Sequence, residues 1–426
     1  MRILLITHYY APEIGAPQRR WDAFVKNWQR SGHEVTVVTS LPHYPLPSRT
    51  RRIRQAYRPF RRSAGEHGET VIRLPFLPHG YDLVTRTLDH LFVAGLTLVA
   101  GLLLAGRRFD AVITTVPALP SLFAGYIISR LFRTPLVVEM RDAWPDLVTF
   151  TGSCETSPGW VARLRAWAHR AVTNTQLKSE HLVTTTHDFA EVLQARGAQH
   201  ISVIRNGVDL ESVPDATTEA LSCRERAGGS AERSVLHILY LGTLGRSQGL
   251  GAVIDAAGMA AAGGADLRLR FVGDGANRAW LQRRAERSQA QIEFFEAVLP
   301  GEVAQHYAWA DTVVVSLRDW EPFEWTVPSK VYELLATNRH VSALVAGEAA
   351  EIVQEAGAGF VVAPGDSQAL ARHWMQLAED PQLLDHGHAG RDWARENVDY
   401  QKLSRRYLDL IRTLARGEVF SDGGLA

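Results

Sequence analysis

A chain of 426 residues exceeds what one typical hydrophobic core spans and predicts two domains. With 46% hydrophobic and 22% charged residues it has the make-up of a soluble globular protein, and a formal net charge of zero gives no global pull towards nucleic acid. Cys154 and Cys223 have no metal-like spacing, which speaks against a disulfide framework and fits a reducing compartment.

The N-terminus lacks the long apolar core and cleavage site of a signal peptide, so Arg2–Thr7 reads as a buried first strand. A loop holding Gly15 follows, then a helix over about Gln18–Ser31, ended by Gly32, and a strand over Glu34–Thr39. This is the opening of a doubly wound α/β domain. The full G-x-G-x-x-G is missing, so a dinucleotide cofactor is not indicated, but Gly15 would let the backbone approach a ligand. His8, at a strand end, is a weak catalytic candidate, since a lone histidine there is more often packing or turn structure.

Residues 49–62 carry seven arginines with Tyr57 and Phe60 among them. They read as a solvated basic loop or as a surface for lipid headgroups or an acceptor phosphate. Leu91–Gly106 then runs 16 residues without charge, short of the roughly 20 needed to span a bilayer. It fits a buried domain helix or one dipping into a single leaflet. Strands are expected at Asp110–Val116 and Pro135–Glu139, with a helix near Ser121–Phe132 between them. Loops at strand carboxyl ends build the ligand crevice of such sheets, which makes Arg141, Asp142 and Asp146 candidates to line it. Helices at Trp160–Val172 and Phe189–Arg196 flank a strand at Leu182–Thr186, and Ile201–Asp209 is a strand running into an Asn206-Gly207 turn.

Glu211–Ser234 is polar and weakly patterned, the place for a linker between a domain of residues 1–210 and one of 235–395. The second half restarts the plan. Leu236–Leu241 leads into Gly242, Gly245 and Arg246, and Leu267–Val272 leads into Gly273-Asp274-Gly275. Such glycine loops can wrap a phosphate, with Arg246 supplying charge. Further strands are expected at Ile292–Phe295, Thr312–Ser316, His340–Leu344 and Gly359–Ala363, and helices at Ser367–Glu379 and Gln401–Arg416.

The densest chemistry lies in Glu321–Ala336. Pro328 suits an early helix position, Ser329 can cap the first turn, and Lys330 and Glu333 share one helix face opposite Val331, Leu334 and Leu335. A helix start displaying a hydroxyl, a cation and a carboxylate attracts phosphate and can accept bonds from sugar hydroxyls. The same residues would also serve an ordinary capped helix.

Taken together, Pro12-Glu13-Ile14-Gly15-Ala16, Glu139 to Pro145, Asn206 to Asp209, Gly242 with Gly249-Leu250, Gly273-Asp274-Gly275 and Pro328 to Glu333 resemble the family-4 glycosyltransferases, in the branch that builds bacterial surface polysaccharides such as O-antigen on lipid carriers. The resemblance covers nearly the whole chain. It implies two facing Rossmann-like domains with a cleft between them, and residues 396–426 ending in a helix that packs back on the first domain. It also implies a nucleotide-diphosphate sugar donor, expected to be UDP-linked such as an N-acetylhexosamine, held mainly by the second domain. A lipid-linked or glycan acceptor would lie on the first, with transfer retaining the anomeric configuration. By position, Glu333 would bind the donor ribose. Lys330, Arg246 and the amides near Gly242 and Ser329 would hold the diphosphate, and Gly15 would leave room for phosphate and sugar. Trp325 stands where many members have a first glutamate, with Glu324 one place away, and Gln248 stands where many have lysine.

The chain has no Asp-x-Asp, the usual carboxylate pair for a donor-bound metal, so neither metal nor cofactor is expected. Leaving-group charge then falls to Arg246, Lys330 and helix-start amides, with Asp142 the candidate to orient or deprotonate the acceptor hydroxyl. The expected place is the cytoplasm, peripheral on the inner face of an anionic membrane, with no nucleic-acid partner. Other readings are a nucleotide-sugar 2-epimerase of similar plan and a non-catalytic nucleotide-sugar-binding protein.

Overall fold

The computed structural model describes residues 1–13, 15–43, 51–80, 83–141, 159–213, 215, 235–298 and 300–420. They form two compact units, Met1–Asn206 with Tyr400–Ala426, and Gly207–Asp399.

The first unit is an eight-stranded sheet. Its strands are β1 (Arg2–Ile6), β2 (Glu34–Ser40), β3 (Arg62–Ala64), β4 (Thr70–Leu74), β5 (Ala111–Thr115), β6 (Leu136–Met140), β7 (His181–Thr184) and β8 (Ile201–Val203). They lie in the order β3-β4-β2-β1-β5-β6-β7-β8, all parallel except β3 against β4. The strands read as continuous apolar runs because helices cover both faces: every residue of β5 and β6 is buried. Beside a single turn at Arg51–Arg54, the helices before the C-terminal one are α1 (Ala16–Arg30), α2 (Leu83–Leu103), α3 (Pro120–Phe132), α4 (Gly159–Leu177) and α5 (His187–Ala195). Trp21, Phe24, Val25 and Trp28 make the apolar stripe of α1 and share a core with Tyr407, Leu410 and Ile411 of the C-terminal helix Tyr400–Ala415.

Sequence periodicity passed over β3 and β4, inside and just after the arginine-rich stretch. Thr70-Val71-Ile72-Arg73-Leu74 carries a β-branched run, but the neighbouring charge masks it. The apolar stretch near residue 91 also differs. Its helix starts at Leu83 and has 21 residues, long and apolar enough to cross a membrane. Only 39% of that apolar window is buried, so it is no fully covered core helix. Asp89, Val93, Thr97 and Ala100 form its inward stripe, and Gly101 lets it close on α3, where a Cβ would sit 2.8 Å from Ile128. Val84, Leu88, Leu91, Phe92, Val99, Leu102 and Leu103 face out. Asn206-Gly207 makes no turn. Those two residues take no regular structure, and Val208 forms an isolated bridge with Asp399.

The second unit is a six-stranded parallel sheet of β9 (Leu236–Leu241), β10 (Leu267–Val272), β11 (Gln291–Phe295), β12 (Thr312–Ser316), β13 (His340–Leu344) and β14 (Gly359–Val362). The order β11-β10-β9-β12-β13-β14 reverses direction between β9 and β12, which opens a crevice at the carboxyl ends of those two strands. Around it stand α6 (Gly251–Ala262), α7 (Arg278–Ala285), α8 (Val303–Trp309), α9 (Ser329–Ala336) and α10 (Glu348–Glu355). Helix α8 lies between expected elements and was not legible from its short period.

Candidate active site

The loops leaving β9, β10 and β12 are laced together at the switch point. Leu244 N donates to Asp274 O (2.9 Å), and Asn277 N donates to Leu244 O (2.9 Å). Arg318 N, beyond β12, donates to Ser247 O (2.9 Å), and Ser316 Oγ donates to Gln248 O (2.6 Å). The glycines in these loops differ in kind. At Gly273, with φ +148°, a Cβ would lie 1.9 Å from Gly242 O, so only glycine lets the two loops meet. Gly249 has φ +59°, and its Cβ would press on the Arg318 backbone at 3.2 Å. At Gly245 the backbone is ordinary and a Cβ would meet only the movable end of Gln248. Gly242 and Gly273 therefore hold the loop's shape in the first place. Arg246 begins a single 3-10 turn after Gly245 and is exposed, with no ion pair among the described residues.

Helix α9 opens directly after the β12 loop. Pro328 occupies the N-cap and Ser329 the first helical position, one place later than the capping role expected of it. No side chain caps this helix start, and of its first amides Val331 N donates to Pro328 O (2.9 Å). One turn in, Lys330 Nζ donates to Glu333 Oε2 at 3.0 Å. Both reach a third group that the sequence gave no reason to choose. The buried Tyr307 of α8 donates its hydroxyl to Glu333 Oε1 (2.8 Å) and accepts from Lys330 Nζ (3.3 Å). Tyr307 is 26 residues from Glu333, and only the packing of α8 beside α9 brings it there. The Lys330 and Glu333 side chains stay 23% and 16% exposed, within reach of a ligand.

In the first unit, Gly15 is the N-cap of α1 in extended backbone, and a Cβ there would touch only the Gln18 side chain. Arg141 follows β6 and is buried, its carbonyl accepting from Thr185 Oγ1 (3.2 Å). Asp142 and Asp146 lie outside the described residues. Glu139 is taken up structurally: with Arg20 it forms a fully buried ion pair (3.0 Å), and the Arg20 guanidinium also binds Ile204 O (2.9 Å). His8 is buried against Asp89 (3.1 Å), and desolvation holds its imidazole down at about 3.

Two family profiles match this chain: one described as a glycosyl transferase 4-like domain over residues 15–207, and one described as glycosyl transferases group 1 over residues 236–380. The chain belongs to the family-4 glycosyltransferases. It is 25% identical to WcaI of Escherichia coli K12, a protein named for a glycosyl transferase role in colanic acid biosynthesis, over 97% of this chain and all of that one. Among solved structures it is similar to sucrose-phosphate synthase of Thermosynechococcus elongatus (TM-score 0.72, 15% identity, covering 98% of this chain and 100% of that one). It is also similar to HepE of Anabaena, solved in complex with UDP-glucose (TM-score 0.67, 17% identity, 97% and 100%). For this glycosyltransferase the likeness fixes the fold: two α/β domains with parallel-sheet cores. The arrangement of Lys330, Glu333 and Tyr307 is the part its own geometry contributes.

Proposed function

We propose that this glycosyltransferase moves a sugar, with retention at the anomeric carbon, from a UDP-linked donor such as an N-acetylhexosamine to a lipid-linked or glycan acceptor in surface-polysaccharide synthesis. The observation that carries the reading is the Lys330–Glu333–Tyr307 triangle at the uncapped start of α9, beside the glycine loops of the switch point. A carboxylate offers about four acceptor directions. Tyr307 and Lys330 each hold one oxygen of Glu333, which fixes the carboxylate in place to receive the ribose hydroxyls. The ammonium of Lys330, the guanidinium of Arg246 and the amides near Gly242, Gly245 and Ser329 then take the diphosphate, where negative charge grows as the sugar leaves. The bond from anomeric carbon to diphosphate oxygen breaks, the bond to the acceptor oxygen forms on the same face, and the acceptor proton passes to the departing diphosphate. Asp142 orients the acceptor hydroxyl. No metal is required at the diphosphate, because the cations and helix amides carry its charge.

Support for the substrate class comes from the names of similar proteins: WcaI for colanic acid, and HepE with UDP-glucose. An anionic membrane at the inner face of the cytoplasmic membrane fits as acceptor surface. Helices α2 and α3 expose Leu88, Leu91, Phe92, Leu102, Ile127 and Leu131, and Arg107 and Arg108 follow at once. A cavity of about 230 Å³ lined by Arg58, Arg61, Arg62 and Arg73 suits a phosphate.

Calorimetry with UDP on parent and Glu333→Ala tests the reading. Loss of two hydrogen bonds to a charged group should weaken affinity on the order of 100-fold. Equal affinity would remove the ribose role. Turnover should persist in EDTA; loss that magnesium restores would overturn the metal-free diphosphate, and epimer formed from donor alone would replace transfer with epimerisation.

A further inference from the structure

The first unit buries a second constellation that sugar transfer leaves unexplained. His8 follows β1, His43 follows β2, His79 lies ahead of α2, and Asp89 sits on the inward stripe of α2. The Nε2 atoms of His8, His43 and His79 stand 3.1, 3.8 and 3.7 Å from one atom, Asp89 Oδ2. The side chains of His8, His43 and Asp89 are at most 1% exposed and that of His79 is 6% exposed.

Hydrogen bonds to carbonyls place the proton on two of the three rings. His43 Nδ1 is 2.8 Å from Leu41 O, and His79 Nδ1 is 3.0 Å from Gly80 O. A carbonyl only accepts, so each Nδ1 is the donor and each Nε2 presents a lone pair. Asp89 is itself fixed, its Oδ1 accepting from Leu77 N at 2.7 Å. Two buried lone pairs thus face a carboxylate oxygen, and among the described residues neither Nε2 has a hydrogen-bond partner. Acceptors opposed in a dry interior repel, and a cation between them reverses the sign. A ring N–H given to a backbone carbonyl is also how metal-bound histidines are oriented.

The distances fit a particular ion. Zinc binds imidazole nitrogen at about 2.0–2.1 Å and carboxylate oxygen at about 2.0–2.2 Å, so ligand atoms of a tetrahedral site are roughly 3.3–3.5 Å apart. The three separations from Asp89 Oδ2 bracket that edge. We propose that His8, His43 and Asp89, whose ligand atoms lie within 4.8 Å of one another, hold a zinc-like divalent metal and draw in His79 as its fourth ligand, which clamps α2 to the carboxyl ends of β1 and β2. Three imidazoles with one carboxylate favour such an ion over magnesium or calcium, which take oxygen. Burial favours the neutral, ligating form of the rings. Arg86, the nearby cation on α2, is engaged by the Tyr9 hydroxyl. The site is independent of the donor reading, and its failure would leave that reading standing.

The test uses the full chain without a histidine tag. Elemental analysis of purified protein should find one zinc per chain. After stripping with chelator, ZnCl₂ titrated in a calorimeter should bind stoichiometrically and raise the melting temperature, and MgCl₂ should do neither. The His43→Gln/His79→Gln double variant should bind zinc at least about 100-fold more weakly, more than a second-shell change alone achieves, while keeping its UDP affinity. His373→Gln, in the separate His340–His373–His386 group of the second unit, should bind zinc like the parent. Absence of bound zinc with no thermal response, or equal binding by the double variant, overturns the proposal. X-ray absorption on the loaded parent decides without any variant: four nitrogen or oxygen neighbours with the outer-shell scattering of three imidazoles sustain it, and sulfur neighbours, a six-coordinate shell or no imidazole scattering sink it.

Discussion

The two units repeat one plan, a parallel sheet whose strand order reverses beside its first strand, yet the residues at their carboxyl edges are opposite in character. In the second unit the edge is built from glycine contacts and carries half-exposed charge: Lys330 and Glu333 keep water access and Arg246 is exposed. In the first unit the corresponding charge is swallowed. Arg20 pairs with Glu139 at zero exposure, and three imidazoles close on Asp89. Topology alone therefore makes a crevice twice, and among the described residues the charge at one edge stays open to water while at the other it is tied into the fold. Burying a charge is tolerated only where partners are complete, which the Arg20 cluster achieves and which the proposed cation would supply to the His43 and His79 Nε2 atoms.

Breaking the second edge should have the largest effect. Gly273→Ala forces a carbon to within 1.9 Å of Gly242 O and should destabilise the fold by about 1–3 kcal/mol in chemical denaturation. Gly245→Ala, facing only the Gln248 side chain, should stay within about 0.5 kcal/mol. Equal costs for the two would mean that the loop contact does not hold the edge. The first unit's outward character can be sharpened next. Replacing Leu88, Leu91, Phe92 and Leu102 with serine should reduce co-sedimentation with anionic vesicles on the order of 10-fold, and replacing Arg58, Arg61 and Arg62 should reduce it less in high salt than in low. Unchanged sedimentation of the apolar variant would remove the membrane from the reading. The smallest change probes the triangle. Tyr307→Phe deletes one hydroxyl from Glu333 and Lys330 and should weaken UDP binding about 3- to 10-fold, with the apolar packing of α8 kept. Parent affinity would make Tyr307 a packing residue only.

Local pattern was enough for much of this molecule. Apolar runs of β-branched residues placed most strands, glycines marked the loops after β9 and β10, and Pro328-Ser329-Lys330 to Glu333 announced a polar helix start, because these signals act over a few residues. Where the signal was non-local or overlaid, it failed. Strands β3 and β4 hid in and beside the arginines, and α2 began eight residues before its uncharged stretch because Arg86 and Asp89 interrupt the apolar pattern but not the helix. Which glycines are obligatory could not be read either, since Gly273 and Gly245 look alike until Gly242 O is placed against one of them.

By itself, then, the sequence determined the α/β class, the family and the short-range chemistry of Lys330 and Glu333, all of which depend on spacing along the chain. Only the tertiary structure decided that Tyr307 completes their group from 26 residues away, and that His8, His43 and His79 converge on Asp89 across 81 residues. The physical reason is the same for both: strand order brings distant loops to one edge, and burial then makes every unpaired polar atom there costly enough to demand a partner.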